Sequence, residues 1–166
     1  MAKRYVADEI QQTRGFRDKS TEAVVAVLRT ANALRRRAEA VALTEGVTLQ
    51  QYNVLRILRG ARAPLPTMEI SERLLEPAPG VTRLVNVLEE RGLIRREQWA
   101  GDRRHVLCAI TPAGLRLLEK LDAPMDAFDS AASGGLTDEQ IDLLLECLAE
   151  IRLRADDISH VKEKKP

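Results

Sequence analysis

Apolar and polar positions along this chain follow two periods, and the longer, helical period comes first. From residue 20 to about residue 45, apolar side chains recur at spacings of three and four, which indicates one long amphipathic helix. Ser20 is expected to cap the start of this helix, and Gly46 is expected to end it. The apolar positions of its stripe are Val24, Val27, Leu28, Ala31, Leu34, Ala38 and Val41.

A second helix is predicted for residues 48–59, which carry a specific start signal. Thr48 and Gln51 have the spacing of a capping box, in which the hydroxyl accepts the N3 amide and the Gln side chain reaches back to the N-cap amide. Gly60 follows where a left-handed residue would close the helix. The pattern therefore predicts two consecutive helices with a short connection between them.

Two shorter helices are predicted before the period changes. Thr67 is expected to cap the first, at about 67–75, and the second is expected to start around 78–80 and to run to about Arg91. Gly92 is expected to end the second helix. The buried stripe of that helix is predicted to consist of Val81, Leu84, Val85 and Leu88.

The pattern then becomes that of extended strands. Residues 93–99 and 104–110 both read as strands, and the Ala-Gly-Asp-Arg sequence at 100–103 is a turn signal between them. Trp99, at the end of the first strand, is expected to pack against this same module. The sequence therefore predicts a β-hairpin attached directly behind a helix.

The last third of the chain returns to helical periodicity. Thr111 and Pro112 are residue types preferred at the N-cap and the first position of a helix. Pro124 is expected to kink or break that helix. Thr137 and Gln140 form a second capping-box pattern, which predicts a final long helix.

This order of elements is that of a winged helix-turn-helix, in which one helix enters the DNA major groove and the hairpin, or wing, reaches the flanking backbone or minor groove. The predicted fold is mainly α with a small β-hairpin wing, flanked by long helices. We expect an N-terminal arm at 1–19, a single domain at 20–155 with its winged core at 47–111, and a charged tail at 156–166.

Three pieces of sequence make this interpretation more specific. They are VTRLV and LEERGLI within residues 81–94, DRR at 102–104, and ITPAG at 110–114. Their combination at these spacings resembles the MarR family of bacterial transcriptional regulators far more specifically than any single piece does. The resemblance covers residues 20–155, so this span is similar to a single MarR-type domain.

The resemblance implies a homodimer whose dimerisation lobe is formed by helices within 20–45 and 112–155 of both chains. Each chain is then expected to present one winged helix to half of a palindromic operator in double-stranded DNA, and to repress a neighbouring gene. A small aromatic or lipophilic effector is expected to bind between the lobes and release the DNA. The residues that would line its pocket, and that would serve equally in an ordinary core, are Leu34, Ala38, Tyr52, Leu55, Leu118 and Leu121.

The residue types on the predicted DNA-facing elements agree with this function. Arg83 lies near the positive end of a helix and can reach a phosphate or fork onto guanine, while Asn86 can pair with adenine or donate to a phosphate. Asp102 is expected to support the wing by orienting Arg104 toward the negative minor groove. The alternative is an ordinary solvated face. The predicted DNA-contacting residues are Thr82, Arg83, Asn86, Arg95, Arg103 and Arg104.

Composition and charge narrow the function classes. The chain has 166 residues, a net charge of +1 and 3% aromatic residues, so DNA binding must come from local charge, and base stacking on single strands is disfavoured. Arg35, Arg36 and Arg37 spread around one helix and are interpreted as a solvated face, with phosphate contact or salt bridges between lobes as the alternative. No secretory signal or membrane-spanning run is present, so the cytoplasm is the expected location, without membrane contact.

Chemistry beyond DNA binding is sparse in the sequence. His105 and Cys108 are three apart in a predicted strand, so they point to opposite faces and cannot share a metal, and no metal or cofactor is predicted. Cys147 lies among apolar residues and is expected in the core or in dimer packing. No catalytic motif indicates an enzyme. The rival functions are a winged helix that binds a protein partner and a ligand-binding protein without sequence-specific DNA binding.

Overall fold

The computed structural model describes the backbone of residues 5–76, 80–99 and 102–161, and the side chains of residues 5–76, 80–97 and 106–155. Within it the chain divides into two compact units, between Asp126 and Ala127. The larger unit contains the predicted winged module, and the smaller one contains the final helix. Each unit is described in turn.

The larger unit begins with a one-turn helix, α1 (Val6–Glu9), and the 25-residue helix α2 (Lys19–Leu43). Asp18, not Ser20, caps α2, because its carboxylate accepts a 2.7 Å hydrogen bond from the Thr21 amide. This bond holds the pKa of the Asp18 carboxyl below its ordinary value. A carboxylate gains from the positive helix end as well as from the hydrogen bond, which explains why the prediction of a Ser20 cap is wrong.

The helix α3 (Leu49–Gly60) starts as its sequence predicts. The Gln51 amide donates to the Thr48 hydroxyl at 3.2 Å, and the Thr48 amide donates to the Gln51 side chain at 3.0 Å, so the capping box is confirmed. Gly60 is the last helical residue and not a left-handed cap. Ala61 ends the helix in extended backbone, with φ −78° and ψ 138°, and this geometry requires no glycine.

Two short helices follow, α4 (Thr67–Glu72) and α5 (Val81–Glu90). Thr67 is the first residue of α4 and not its cap, because the chain arrives at Pro66 in extended backbone and the helix begins directly after it. The end of α4 also falls three residues before the predicted residue 75. The N-cap of α5 is Gly80, whose φ of +102° lies in the left-handed region that favours glycine.

Three antiparallel strands form a small sheet in the order β1-β3-β2, where β1 is Leu65–Pro66, β2 is Ile94–Trp99 and β3 is Asp102–Ile110. The predicted hairpin is therefore confirmed, and β1 is an addition to it. Asp102 and Arg103, predicted as turn residues, lie in β3, because strand pairing continues up to the Trp99–Asp102 pair and leaves a shorter connection.

The core of this unit lies between α3, α4, α5, the sheet and the helix α6 (Pro112–Ser133). The α6 backbone continues across Pro124, so the predicted break does not occur. Leu121 and Met125, on either side of Pro124, are buried in the core, and their packing holds the helix there. The largest fully buried side chains are Leu55, Ile70, Leu88, Ile94, Leu118, Leu121, Val47, Val54, Val85 and Cys108.

The smaller unit contains the end of α6 and the helix α7 (Asp138–Val161). A capping box starts α7, as predicted, with Thr137 and Gln140 joined by hydrogen bonds of 3.0 and 3.3 Å. Cys147 is exposed, so it does not lie in the core of the chain, because two helices alone cannot enclose all their apolar side chains. Its alternative place, in dimer packing, stays a prediction. None of the helices in the described residues is both long and apolar enough to span a bilayer.

Candidate nucleic-acid interface

The α5 helix separates a buried apolar stripe from a polar exposed face. Val81, Val85 and Leu88 are buried in the core, as the sequence predicts, while Leu84 is half-buried against it. At the N-terminus of the helix, the amides of Arg83 and Leu84 donate to the Gly80 carbonyl at 2.8 and 3.2 Å. The polar residues on the exposed face are Thr82, Arg83, Asn86 and Glu90.

The base of the wing presents two neighbouring arginines in different surroundings. Arg95 forms an ion pair with Glu97 on the same face of β2, and 58% of its side chain is exposed. Arg96 is 30% exposed and lies 3.4 Å from the Glu89 carboxylate. It also donates to the side-chain oxygen of Asn86. The wing therefore contacts Asn86, one of the predicted DNA-contacting residues, through Arg96. Arg95, also predicted to contact DNA, is more exposed than Arg96.

The tip of the wing carries the remaining predicted contacts. Asp102, Arg103 and Arg104 lie in the first part of β3. Their side chains, like those of Trp99 and His105, lie outside the residues whose side chains the structure describes. The roles of the two arginines in DNA contact, and of Asp102 in orienting Arg104, remain predictions.

A compact junction joins the C-terminal end of α5 to the end of the wing. The Thr111 hydroxyl lies 2.7 Å from the Gly92 carbonyl and 3.0 Å from the Leu93 carbonyl, to which it can donate. The same oxygen accepts a 3.1 Å hydrogen bond from the Gly114 amide, which starts α6. Two sequence pieces about 20 residues apart, RGLI and ITPAG, thus form a single structural feature.

Replacing Thr111 with valine is expected to destabilise the protein by about 1–2 kcal/mol. Valine keeps the shape of threonine but cannot accept from Gly114 or donate to the Gly92 and Leu93 carbonyls. The measurement is urea unfolding, with Thr111→Ser as the matched control, because serine retains the hydroxyl. Equal midpoints for the two variants would show that the hydroxyl does not stabilise this junction.

Two contacts that sequence patterns did not reveal connect α2 and the turn after it to the start of α3 and to the end of α5. Arg91, just after α5, donates to the Gly46 carbonyl at 2.7 Å, at the turn that follows α2. The Glu39 carboxylate of α2 accepts a 2.6 Å hydrogen bond from the Leu49 amide at the start of α3. Gly46, which the sequence analysis expected to end the first long helix, lies in this turn with a left-handed φ of +70°.

The predicted effector-pocket residues fall into two groups. Tyr52, Leu55, Leu118 and Leu121 belong to the main hydrophobic core, and Ala38 is also buried. Leu34 is 40% exposed, so it does not join them in the core. The structure therefore brings most of this set together as ordinary packing.

The structure also gives the exposure and contacts of the other residues that the sequence analysis singled out. Arg35, Arg36 and Arg37 are all exposed, as expected for a solvated face, and Arg35 forms a 2.7 Å ion pair with Glu76. Cys108 is buried in β3, with its sulfur 3.9 Å from the Thr67 hydroxyl. In the part of the chain that the structure describes, no group of three or more His, Cys, Asp and Glu side chains is arranged to hold a metal ion.

Comparison with known proteins identifies the family. A family model described as MarR family matches residues 45–105. The chain is 30% identical over 114 residues to the uncharacterized HTH-type transcriptional regulator YkoM of Bacillus subtilis, which covers 68% of this chain and 73% of YkoM. It is 31% identical to a MarR transcription factor of known structure from Planctomyces limnophilus, with a TM-score of 0.63 over 81% of this chain and 98% of that one.

A more distant structure shows the same fold. MepR of Staphylococcus aureus, solved as a complex with DNA, superimposes with a TM-score of 0.73 over 84% of this chain and 99% of MepR, at 20% identity. The predicted fold class, mainly α with a small β-hairpin wing and long helices before and after it in the chain, is thus confirmed. The YkoM and Planctomyces matches show that this chain belongs to the MarR family of HTH-type transcriptional regulators, a family of DNA-binding proteins and not of enzymes.

Proposed function

We propose that the protein is a homodimeric repressor that binds a palindromic operator in double-stranded DNA, acting in the cytoplasm. The observation that carries this proposal is the α5 helix, which buries Val81, Val85 and Leu88 and leaves Arg83 and Asn86 exposed, with Asn86 in contact with the wing. A helix of this kind presents its polar side chains to the base edges of the major groove. The MepR–DNA complex supports the proposal as an example of this fold bound to DNA.

The proposed contacts divide into two kinds. Thr82, Arg83 and Asn86 lie on the exposed face of α5, where they can reach base edges or phosphates near the helix N-terminus. The wing arginines supply positive charge that attracts the DNA backbone and the narrow minor groove. They are Arg95, Arg103 and Arg104.

Exposed apolar side chains on the long helices support the homodimer. On α2, Val24 is 52% and Leu28 is 66% exposed, four residues apart on one helical face. Among the described side chains of α7, the exposed large apolar residues are Leu143, Leu144, Leu145, Ile151 and Leu153. Clustered apolar surface of this kind is typical of protein–protein interfaces, and two copies of the chain would bury it. Dimer symmetry then places the two half-sites about 34–36 Å apart on the DNA.

Release of the operator by a small aromatic or lipophilic effector is also part of the proposal. Its support is the family to which the chain belongs; the residues predicted to line the pocket, most of which pack in the core, stay a prediction. The test is titration of the protein–operator complex with small aromatic acids. A saturable loss of operator binding, together with a rise in melting temperature of the free protein, is the expected result.

Identification of the operator is the experiment that decides whether the proposed function is correct. Fragments of the source genome would be selected on the purified protein at physiological salt and sequenced. We expect enrichment of a short palindrome with half-sites one helical turn apart. Weak binding to all fragments, without enrichment after removal of any co-purifying ligand, would contradict sequence-specific binding. Deletion of the gene should raise transcription beside the enriched site if the protein is a repressor.

Replacing Arg104 with alanine is expected to weaken binding to all DNA sequences. If the Arg104 side chain contacts one phosphate, the slope of log K against log salt should become shallower by about 1. Fluorescence anisotropy of a labelled duplex over a range of salt measures both quantities. Arg36→Ala, which removes the same charge from an exposed position on α2, is the matched control and should change the slope little. Equal slopes for Arg104→Ala and the unmodified protein would contradict this role of the wing.

A further inference from the structure

Arg96 lies at the contact between the wing and α5, the helix proposed to enter the DNA major groove. One of its terminal nitrogens, Nη2, donates to Oδ1 of Asn86, and the other, Nη1, lies 3.4 Å from Oε2 of Glu89. Asn86 and Glu89 are three residues apart on α5, so both lie on one side of the helix. Arg96 therefore bridges two positions of the helix that faces DNA in the proposed function.

Arg96 forms an ion pair with another residue of the same chain, Glu89. Glu89 supplies a carboxylate of opposite charge, and only 30% of the Arg96 side chain is exposed, against 58% for Arg95. Successive residues of a strand point to opposite faces, so Arg95 pairs with Glu97 on the other side of β2. Arg96 is thus held against α5, whereas Arg95 keeps most of its surface in solvent.

The chemistry of this contact fixes which end of the Asn86 amide faces outward. A guanidinium group donates hydrogen bonds and cannot accept them, so it must face the oxygen of the amide and not its nitrogen. The two N–H groups of Asn86 then point away from Arg96, on a side chain that is exposed to solvent. A side chain of this orientation offers hydrogen-bond donors to a ligand.

We propose that Arg96 is a positioning residue that sets the base preference of Asn86. Because the outward groups are donors, Asn86 reads acceptors in the major groove, and guanine, with acceptors at both N7 and O6, is preferred over adenine. Pairing with both N6 and N7 of adenine requires the amide oxygen, which Arg96 engages. The proposal rests on the proposed function, in which the exposed face of α5 enters the major groove.

The test begins by locating the base that Asn86 reads. Each position of the selected operator would be varied, and the variants compared for binding to the unmodified protein and to Asn86→Ala. The position where Asn86→Ala loses its preference is the one read by Asn86. There, the unmodified protein is expected to bind guanine about tenfold better than adenine. A preference for adenine at that position would overturn the proposal.

Variants of Arg96 then test the positioning role. In Arg96→Met the amide is free to turn, so the preference for guanine should fall to less than about threefold, whereas Arg96→Lys retains a donor and should largely restore it. Arg95→Met removes the same charge from the other face of β2 and should weaken binding to all operator variants together. Melting temperatures measured alongside show whether each variant is folded.

The outcomes separate this inference from the function on which it rests. If the unmodified protein selects no operator, the proposed function fails. If it selects one and Arg96→Met keeps the full guanine preference while folded, only the role of Arg96 is overturned. The inference is also overturned if Asn86→Ala keeps the base preference of the unmodified protein at every position of the operator.

Discussion

Replacing Gly114 with alanine is expected to destabilise the protein by about 2–3 kcal/mol, the largest effect on stability among the variants considered. A Cβ at this position would lie 2.3 Å from the Leu93 carbonyl oxygen and 2.8 Å from Cγ1 of Ile110. The first neighbour is backbone and cannot turn aside as the end of a flexible side chain can. Relief of the clash therefore requires α6 to move away from the backbone of Leu93, which follows the end of α5.

A matched substitution elsewhere isolates this effect. Gly60 is also helical, and a Cβ built on it meets no atom within 4 Å among the described residues. Gly60→Ala is therefore expected to stabilise the protein by about 0.5–1 kcal/mol, through the helix propensity of alanine. Urea unfolding of the two variants measures both effects, which should have opposite signs. A Gly114→Ala midpoint at or above that of the unmodified protein would contradict the close approach.

The close approach at Gly114 also explains why the winged module could be predicted from the sequence. Gly92 ends the turn after α5 with a φ of +67°, and Thr111 binds its carbonyl, while Gly114 lets α6 pass against Leu93. Each residue has a local requirement that few other residue types satisfy. Motifs built from such requirements remain visible in a single sequence, and those at 81–94 and 110–114, together with DRR at 102–104 and the order of the elements, predicted the winged module.

Features that depend on side chains far apart in the chain were not predictable in this way. Arg91 reaches Gly46 across 45 residues, and Arg96 engages Asn86 through the folded wing. Neither arginine carries a periodic or capping signal, because arginine is common on any exposed surface. The strand β1 was missed for a related reason: two residues are too few to show a period, and only pairing with β3 defines them as a strand.

Helix ends show the same contrast on a smaller scale. The capping boxes at Thr48 and Thr137 were predicted correctly, because two residues at fixed spacing identify each of them. Single residues were less reliable guides, since Ser20 and Thr67 both resemble caps, whereas Asp18 and Pro66 occupy those positions. The tertiary path of the chain determines which of two neighbouring residues becomes the N-cap, and the local sequence does not determine that path.

Replacing Arg83 with alanine is expected to weaken operator binding by about 1–3 kcal/mol, the largest expected loss of DNA affinity from a single side chain. Arg83 is exposed in the first turn of α5, and alanine is a strong helix former, so the helix itself should be preserved. The loss therefore reports on the contact with DNA. Anisotropy titrations with the operator, supported by the melting temperature of the variant, provide the measurement.

The pattern of the loss over different DNA sequences identifies the contact that Arg83 makes. If its guanidinium forks onto N7 and O6 of a guanine, the loss should disappear when that base pair is changed, and the salt slope should remain nearly constant. If it binds a phosphate, the loss should be similar for all sequences, and the slope should become shallower by about 1. Unchanged affinity for the operator and for unrelated DNA would mean that this face of α5 does not meet DNA, and the winged module would then need a different partner.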